Sequence, residues 1–303
     1  MNQIVAGMMR MGEGLRLWLM AVRPRTLTIA LAPVLVGTTL AWTEAGRVDV
    51  WLFTVIMLAA VLIQAGTNLH NDAADVEADS GERLGPPRVS ALGLLSAEDV
   101  RRAAWISFGL AALLGLWLVW KGGWPILLIG VASILAGAAY SSGPRPISHT
   151  PFGEVFVVAF FGLAAVVGTY YLQTGTVSPR ALVAGLIVGF PAAAVLLVNN
   201  TRDVIQDMAA GRLTLAIRIG KARAALVYAF LLLTPYLLLA LPWPGYLSLS
   251  GRLLWPVFIT LPYAVWLVMQ FRRKPVGYFN LLLVNTAKLQ FAISALMCLS
   301  LVQ

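Results

Sequence analysis

Two short stretches carry residues able to hold a cation. They are "NDAADVEAD" (Asn71 to Asp79) and "NNTRDVIQD" (Asn199 to Asp207), and the first alone contains four of the thirteen carboxylates in 303 residues. At an offset of 128, Asn71, Asp75 and Asp79 fall on Asn199, Asp203 and Asp207, and Val76 falls on Val204. Each stretch reads N-x3-D-x3-D. Positions i, i+4 and i+8 drift by only about 40° per step around a helix, so each triplet forms a stripe about 12 Å long. Asp72, three residues before Asp75, joins the first stripe. Carboxylates at a helix C-terminus oppose the macrodipole, and clustered ones repel, so they require a compensating cation. Capping or a solvated face would explain one such cluster, but not the recurrence in register. The ligands are Asp and Asn oxygens, with no Cys in reach and only His70 nearby. Such hard donors suit Mg²⁺ or Mn²⁺. Mg²⁺ is usually shared between protein carboxylates and substrate phosphate, so two incomplete sites point to a polyphosphate held between them.

The elements that position these stripes are membrane helices. Hydrophobic residues make up 59% of the chain, charged residues only 12%, and the mean hydropathy is +0.82. Soluble domains run at roughly 45–50% apolar and 25% charged, so a polytopic, all-α membrane protein is expected. A crossing needs about 20 residues. Nine apolar segments fit, near 27–43, 51–71, 103–120, 123–140, 153–173, 181–200, 224–241, 253–271 and 278–301. Their length favours helices over the alternating short strands of a barrel. Lys and Arg number four before the first crossing, then four, one, five and three in alternate connections: seventeen on one side against four on the other. This bias predicts a cytoplasmic N-terminus and an outer C-terminus, with both acidic stretches on the cytoplasmic side. The net charge of +9 therefore reflects topology and anionic partners, not nucleic acid. The single Cys298 excludes an intrachain disulfide, and no cleavable leader is expected before the first crossing. The register of the two stretches suggests one membrane-embedded domain over 1–303, built from four-helix repeats near 23–145 and 151–271 plus a ninth helix at 278–301.

Paired Asp-rich motifs after the second and sixth of nine helices resemble the UbiA superfamily of intramembrane prenyltransferases. The chain is most similar to the 1,4-dihydroxy-2-naphthoate polyprenyltransferases of the MenA type. The stretches that carry the resemblance, in the family's order, are "RPRTLTIALAPVLVGTTLA" from Arg23, "QAGTNLHNDAADVEAD" from Gln64, "GPPRVSALGLLS" from Gly85, "YSSGPRP" from Tyr140, "FGEVFVVAFFGLAAVVGTYYLQTG" from Phe152 and "NNTRDVIQDMAAGRLTLAIRIG" from Asn199. The resemblance implies a ring of helices around a central cavity open to the bilayer, capped by the cytoplasmic loops. It implies Mg²⁺-dependent transfer of a polyprenyl group from its diphosphate to 1,4-dihydroxy-2-naphthoate, with loss of the carboxylate, giving a demethylmenaquinone. The location implied is the bacterial inner membrane.

On that reading Asp72, Asp75 and Asp79 hold one metal and Asp203 and Asp207 another. Asn71 and Asn199, with Asn68 as a weaker candidate, contact metal or diphosphate. Arg25, Arg145 and Arg212 are candidates for the diphosphate. Tyr140, Tyr170 and Tyr171 could face the allylic cation. Arg88, Glu154 and Lys288 could steer or deprotonate the acceptor; Lys288, deep in the ninth helix, is expected to face the cavity. His70 and His149 read as structural. The segment "GERLGPPRV" should fold over the site as a cap. The rival readings are a UbiA-type enzyme for 4-hydroxybenzoate, homogentisate or a chlorophyllide, and a divalent-cation transporter. Donor chain length and oligomeric state are not encoded in any of these features.

Overall fold

A computed structural model describes residues 14–74, 76, 84–85, 88–241 and 255–302, all but the side chain of Arg25 among them. The described residues are helices and short connections. A short helix α1 (residues 14–22) is stopped by the Arg23–Pro24 pair, because proline disfavours the α region for the residue before it. Arg23 takes a left-handed conformation, φ 55°, and Pro24 opens α2 (Pro24–Ala45). There follow α3 (Val50–Ala74), α4 (Ala97–Gly122) and α5 (Trp124–Ala139). The next rod joins α6 (Gly153–Val157), a π-helical stretch Val158–Ala164 and α7 (Ala165–Thr174). After it come α8 (Pro179–Arg202), α9 (Val204–Ala209), α10 (Leu215–Ala240, bent at Gly220), α11 (Leu261–Arg273) and α12 (Phe279–Val302).

Among the described residues, seven helical rods are long and apolar enough to cross a bilayer. The other two expected crossings are built differently. Trp124–Ala139 is only 16 residues long. The segment expected at 253–271 is a 3₁₀ turn (Trp255–Thr260) leading into the 13-residue α11.

Burial tells where each rod sits. In α8, 78% of the membrane-length window is buried, against 22% in α4. α8 is therefore the central post. Its Ala184, Ile187, Val188, Leu197 and Val198 join Tyr228, Leu232, Phe271, Leu282, Leu289 and Ile293 of α10, α11 and α12 in the main core. α4 instead turns Trp105, Ile106, Leu110 and Leu113 outward, an apolar face suited to lipid. The π-helical stretch is held against α8 by a glycine contact. A Cβ on Gly162 would stand 2.5 Å from the Gly185 carbonyl oxygen, so only glycine permits this approach.

The connections gather at two ends. At one end Leu213 N–H donates to the His149 carbonyl at 3.0 Å, Lys221 Nζ to the Lys274 carbonyl at 2.7 Å, and Asn280 Nδ2 to the Leu84 carbonyl at 2.6 Å. At the other, Asp49 N–H donates to Gln173 Oε1 at 2.9 Å, Arg180 pairs with Glu44 at 3.4 Å, and Thr43 Oγ1 reaches the Leu301 carbonyl at 3.3 Å. Asn71 and Asp72 of the first motif, and Asn199, Asp203 and Asp207 of the second, lie at the first end.

Candidate functional site

A cavity of about 540 Å³ opens between α2, α3, α4, α5, the α6–α7 rod and α8. Its body is apolar, lined by residues such as Ile29, Val34, Ile56, Leu118, Ile129 and Phe161. Its end near the first set of connections is polar. Asn71, Arg88, Asn199, Asn200, Asp203, Gln206, Asp207 and Arg212 converge there, with Arg23 and Tyr140 alongside.

The second motif is not one unbroken stripe. α8 ends at Arg202, and Asp203 (φ −94°, ψ 10°) both closes α8 and opens α9. Asp203 N–H bonds the Asn199 carbonyl at 3.1 Å, and Asp207 N–H bonds the Asp203 carbonyl at 2.8 Å. Asn199, Asp203 and Asp207 still all line the cavity. The break has a second effect. Neighbouring residues of a continuous helix point about 100° apart, but here Arg202 reaches Asp203. Its Nε donates to Oδ1 at 2.7 Å and its Nη2 to Oδ2 at 2.6 Å. Arg202 is only 2% exposed; Nη2 also reaches Asn199 Oδ1 at 2.8 Å and Nη1 reaches Asn280 Oδ1 at 2.9 Å. Asp207 is tied in the same manner, accepting from Arg212 Nη1 at 3.0 Å. Planar, charge-assisted pairs of this type hold carboxylates in place.

The first motif divides. Asn71 lines the cavity; its Oδ1 accepts from Arg88 Nη2 at 2.9 Å and its Nδ2 donates to Ser141 Oγ at 2.9 Å. Asp72 is not among the lining residues. It is 1% exposed, and its carboxylate accepts the backbone N–H of Ser90 at 3.0 Å and of Val89 at 3.3 Å. Its place is to fasten the loop that carries Arg88. Asp75 and Asp79 lie outside the described residues, as does the side chain of Arg25.

Other sequence candidates scatter. Asn68 lines the cavity, but its Nδ2 is engaged by the Val22 carbonyl at 2.7 Å and Thr26 Oγ1 at 3.0 Å. Arg145 is exposed on its loop and does not line the cavity. Lys288 corrects the expectation for it: it lies exposed on the outer side of α12. Helical side chains lean toward the helix N-terminus, so from the middle of α12 its long stem can snorkel toward the polar end. Of the three tyrosines, Tyr140 lines the cavity, whereas the Tyr170 hydroxyl bonds Glu44 at the opposite end and Tyr171 packs with Leu52 and Ile126. His70 is buried beside Ser142 Oγ at 2.9 Å, edge-on to Trp105.

Sequence reasoning missed four cavity or near-cavity residues: Arg202, Arg23, Asn200 and Gln206. Arg202 was counted only as a topology charge, although an arginine between Asn199 and Asp203 is placed to pair with either. Arg23 was passed over for Arg25; the proline after it is the signal, since it breaks the helix and turns Arg23 toward the cavity. Asn200 and Gln206 carried no periodic signature.

Among the described residues, no three His, Cys, Asp or Glu side chains come together as a metal cage. The donor chemistry at the polar end nevertheless fits a hard cation. Asp203 and Asp207 present carboxylate oxygens with lone pairs beyond those engaged by arginine, beside the amides of Asn71 and Asn199. Such half-sites suit an ion that keeps waters and shares a phosphate.

The comparisons agree with this architecture. The chain is 37% identical over 234 residues to the 1,4-dihydroxy-2-naphthoate octaprenyltransferase of Mycobacterium tuberculosis (strain ATCC 25618 / H37Rv), covering 75% of this chain and 79% of that protein. It is 35% identical over 232 residues to the 1,4-dihydroxy-2-naphthoate octaprenyltransferase of Escherichia coli (strain K12), covering 74% and 75% respectively. The fold is similar to that of a UbiA homolog from Archaeoglobus fulgidus bound to GPP and Mg2+, at TM-score 0.67 and 17% identity, over 92% of this chain and 99% of that one. The model of the UbiA prenyltransferase family matches residues 30–276, and the chain belongs to that family.

Proposed function

We infer that this protein transfers a polyprenyl group from polyprenyl diphosphate to 1,4-dihydroxy-2-naphthoate, releasing CO₂ and giving a demethylmenaquinone. The observation that carries the reading is the cavity itself: an apolar body that ends in Asp203, Asp207, Arg88 and Arg212. A prenyl diphosphate has that same division between apolar tail and anionic head. The two similar octaprenyltransferases supply the acceptor class.

In this reading Asp203 and Asp207, with Asn71 and Asn199 beside them, hold Mg²⁺; Asp75 and Asp79 are the first motif's contribution. When bound, the metal neutralises charge on the departing diphosphate as a Lewis acid. The chain's own residues do the rest. Arg88 and Arg212 add fixed positive charge at the head, where it is worth more than in water because the walls exclude solvent. Asp72 keeps the Arg88 loop over the polar end through its two backbone hydrogen bonds. The apolar body keeps water from the allylic cation, which would otherwise become an alcohol. Tyr140 offers an aromatic face in the same cavity.

The chain is an integral membrane protein, and we place its polar end, with Arg145, Arg218, Lys221 and Arg272 to Lys274 around it, at the cytoplasmic face of the bacterial inner membrane. We read the 128-residue offset as a duplication, which is supported by α3 packing chiefly on α4 while α8 packs chiefly on α10.

Purified protein in detergent or liposomes, given dihydroxynaphthoate, a labelled prenyl diphosphate and Mg²⁺, should release CO₂ and form a prenylated quinone. Asp203→Ala should reduce turnover by on the order of 10²–10³. Full activity in Asp203→Ala, or transfer only to 4-hydroxybenzoate, would overturn the reading.

A further inference from the structure

Asn200 and Glu154 form a buried pair in the cavity wall that the diphosphate chemistry does not use. Asn200 is 8% exposed and lines the cavity; Glu154, at the start of α6, is 5% exposed. Asn200 Nδ2 donates to Glu154 Oε1 at 3.0 Å. The second carboxylate oxygen, Oε2, is buried with no hydrogen-bond partner. A carboxyl group set so deep, with one oxygen unpartnered, is costly, which argues that the bond to Asn200 has a purpose beyond packing.

Its consequence is orientation. Glu154 Oε1 accepts from the amide nitrogen of Asn200, which fixes that end of the amide toward α6. The carbonyl Oδ1 is then the end of Asn200 turned toward the cavity. The neighbouring amides are committed otherwise: both ends of Asn71 are engaged by Arg88 and Ser141, and Asn199 Oδ1 by Arg202. Asn200 stands three residues, about one turn, before Asp203 on α8, on the side of the apolar body. A group held there lies where the polar end of the cavity meets its apolar body.

We propose that Asn200 Oδ1 binds the acceptor, accepting a hydrogen bond from a ring hydroxyl, and that Glu154 is a positioning residue that fixes the Asn200 amide for this purpose. The ligand class is a hydroxylated aromatic with an O–H donor. A hydroxyl held this way keeps the ring edge toward the allylic carbon. An acceptor whose hydroxyl is methylated cannot make the bond and leaves the carbonyl unpaired, which is the strongest form of discrimination a buried polar group offers. The inference rests on the prenyl-transfer reading for its acceptor, but it can be tested without turnover.

The test has two arms on the full-length protein, with melting temperature as the check on folding. In the binding arm, dihydroxynaphthoate quenching of tryptophan fluorescence gives Kd for the native protein, Asn200→Ala and Glu154→Gln. Asn200→Ala should raise Kd at least 10-fold. Glu154→Gln is nearly isosteric and keeps the packing. Its side chain can meet Asn200 with either an acceptor oxygen or a donor N–H₂, so the Asn200 amide is no longer fixed one way round; the variant too should raise Kd, and should narrow the preference for the hydroxyl over the methoxy analogue. In the kinetic arm, both variants should raise KM for the acceptor while KM for the prenyl diphosphate stays within about 2-fold. Equal Kd in all three proteins, no binding by the native protein, or parallel rises in both KM values would overturn the proposal. Normal, Asn200-dependent binding without any transfer would sink the proposed reaction and leave this acceptor site standing.

Discussion

At the scale of single residues, the buried charge pair at the second motif deserves a direct test. Arg202 presents a planar fork to Asp203 and, at the same time, reaches Asn199 and Asn280. Lysine keeps the charge but offers a point donor on a flexible stem, so it cannot reproduce that fork. Arg202→Lys should therefore leave Asp203 and Asn199 free to turn while the protein still folds. The expected result is a rise of about 10-fold in the Mg²⁺ concentration for half-maximal transfer, with a smaller change in KM for the acceptor. A magnesium titration of initial rates checks this, and an unchanged half-saturation would mean that Arg202 only packs. The same residue shows where sequence reading stopped. Recurrence in register revealed Asn199, Asp203 and Asp207 because a polar triplet is conspicuous in an apolar chain. It could not separate Asp72 from its neighbours, because the loop backbone that Asp72 satisfies is placed only by the fold. Nor could it orient Lys288: α12 carries polar residues both inward (Thr286, Gln290, Ser294) and outward (Lys288), so depth in the helix says nothing about which side meets the cavity.

At the scale of elements, the close seat of the α6–α7 rod on α8 sets the width of the cavity. Gly162 belongs to a π-helical stretch, a form that inserts a residue into a helix and often marks functional sites. Its neighbour across the contact is backbone, the Gly185 carbonyl, with Gly189 Cα 2.9 Å from the same Cβ position. Backbone cannot rotate away as a side chain can. Gly162→Val should thus cost about 1–3 kcal/mol by overpacking and lower the melting temperature in detergent. Gly109→Ala on α4, where an added Cβ meets nothing within 4 Å, should leave it unchanged or slightly raised. Equal melting temperatures for Gly162→Val and the native protein would show that the two rods separate readily. Helix existence was readable from the length of the apolar runs. The π-helical stretch, the 3₁₀ entry to α11 and the break at Asp203 were not, because each answers a tertiary contact and leaves the local hydrophobic pattern unchanged.

At the scale of the whole molecule, the question is where a long prenyl tail goes. A cavity of about 540 Å³ is within the range of about 300–1,000 Å³ that holds a drug-sized ligand, enough for a diphosphate, an acceptor ring and the first isoprene units. A longer tail must leave it. The lining itself indicates the exit: Leu116, Leu127 and Val131 border the cavity and yet are 62%, 44% and 48% exposed. They lie on α4 and α5, whose outer faces carry the apolar surface that meets lipid. The tail can therefore pass between these helices and remain in hydrocarbon, at no cost in hydrated CH₂ groups. Gly130 of α5 lines the same wall, and an added Cβ there meets nothing within 4 Å. Gly130→Phe should consequently fold as well as the native chain while narrowing the passage. Assayed against geranyl, farnesyl and octaprenyl diphosphates, it should keep kcat/KM for the short donor within about 3-fold and lose at least 10-fold for the octaprenyl donor. Equal loss for all three donors would place the tail elsewhere and make the α4–α5 gap a packing feature alone.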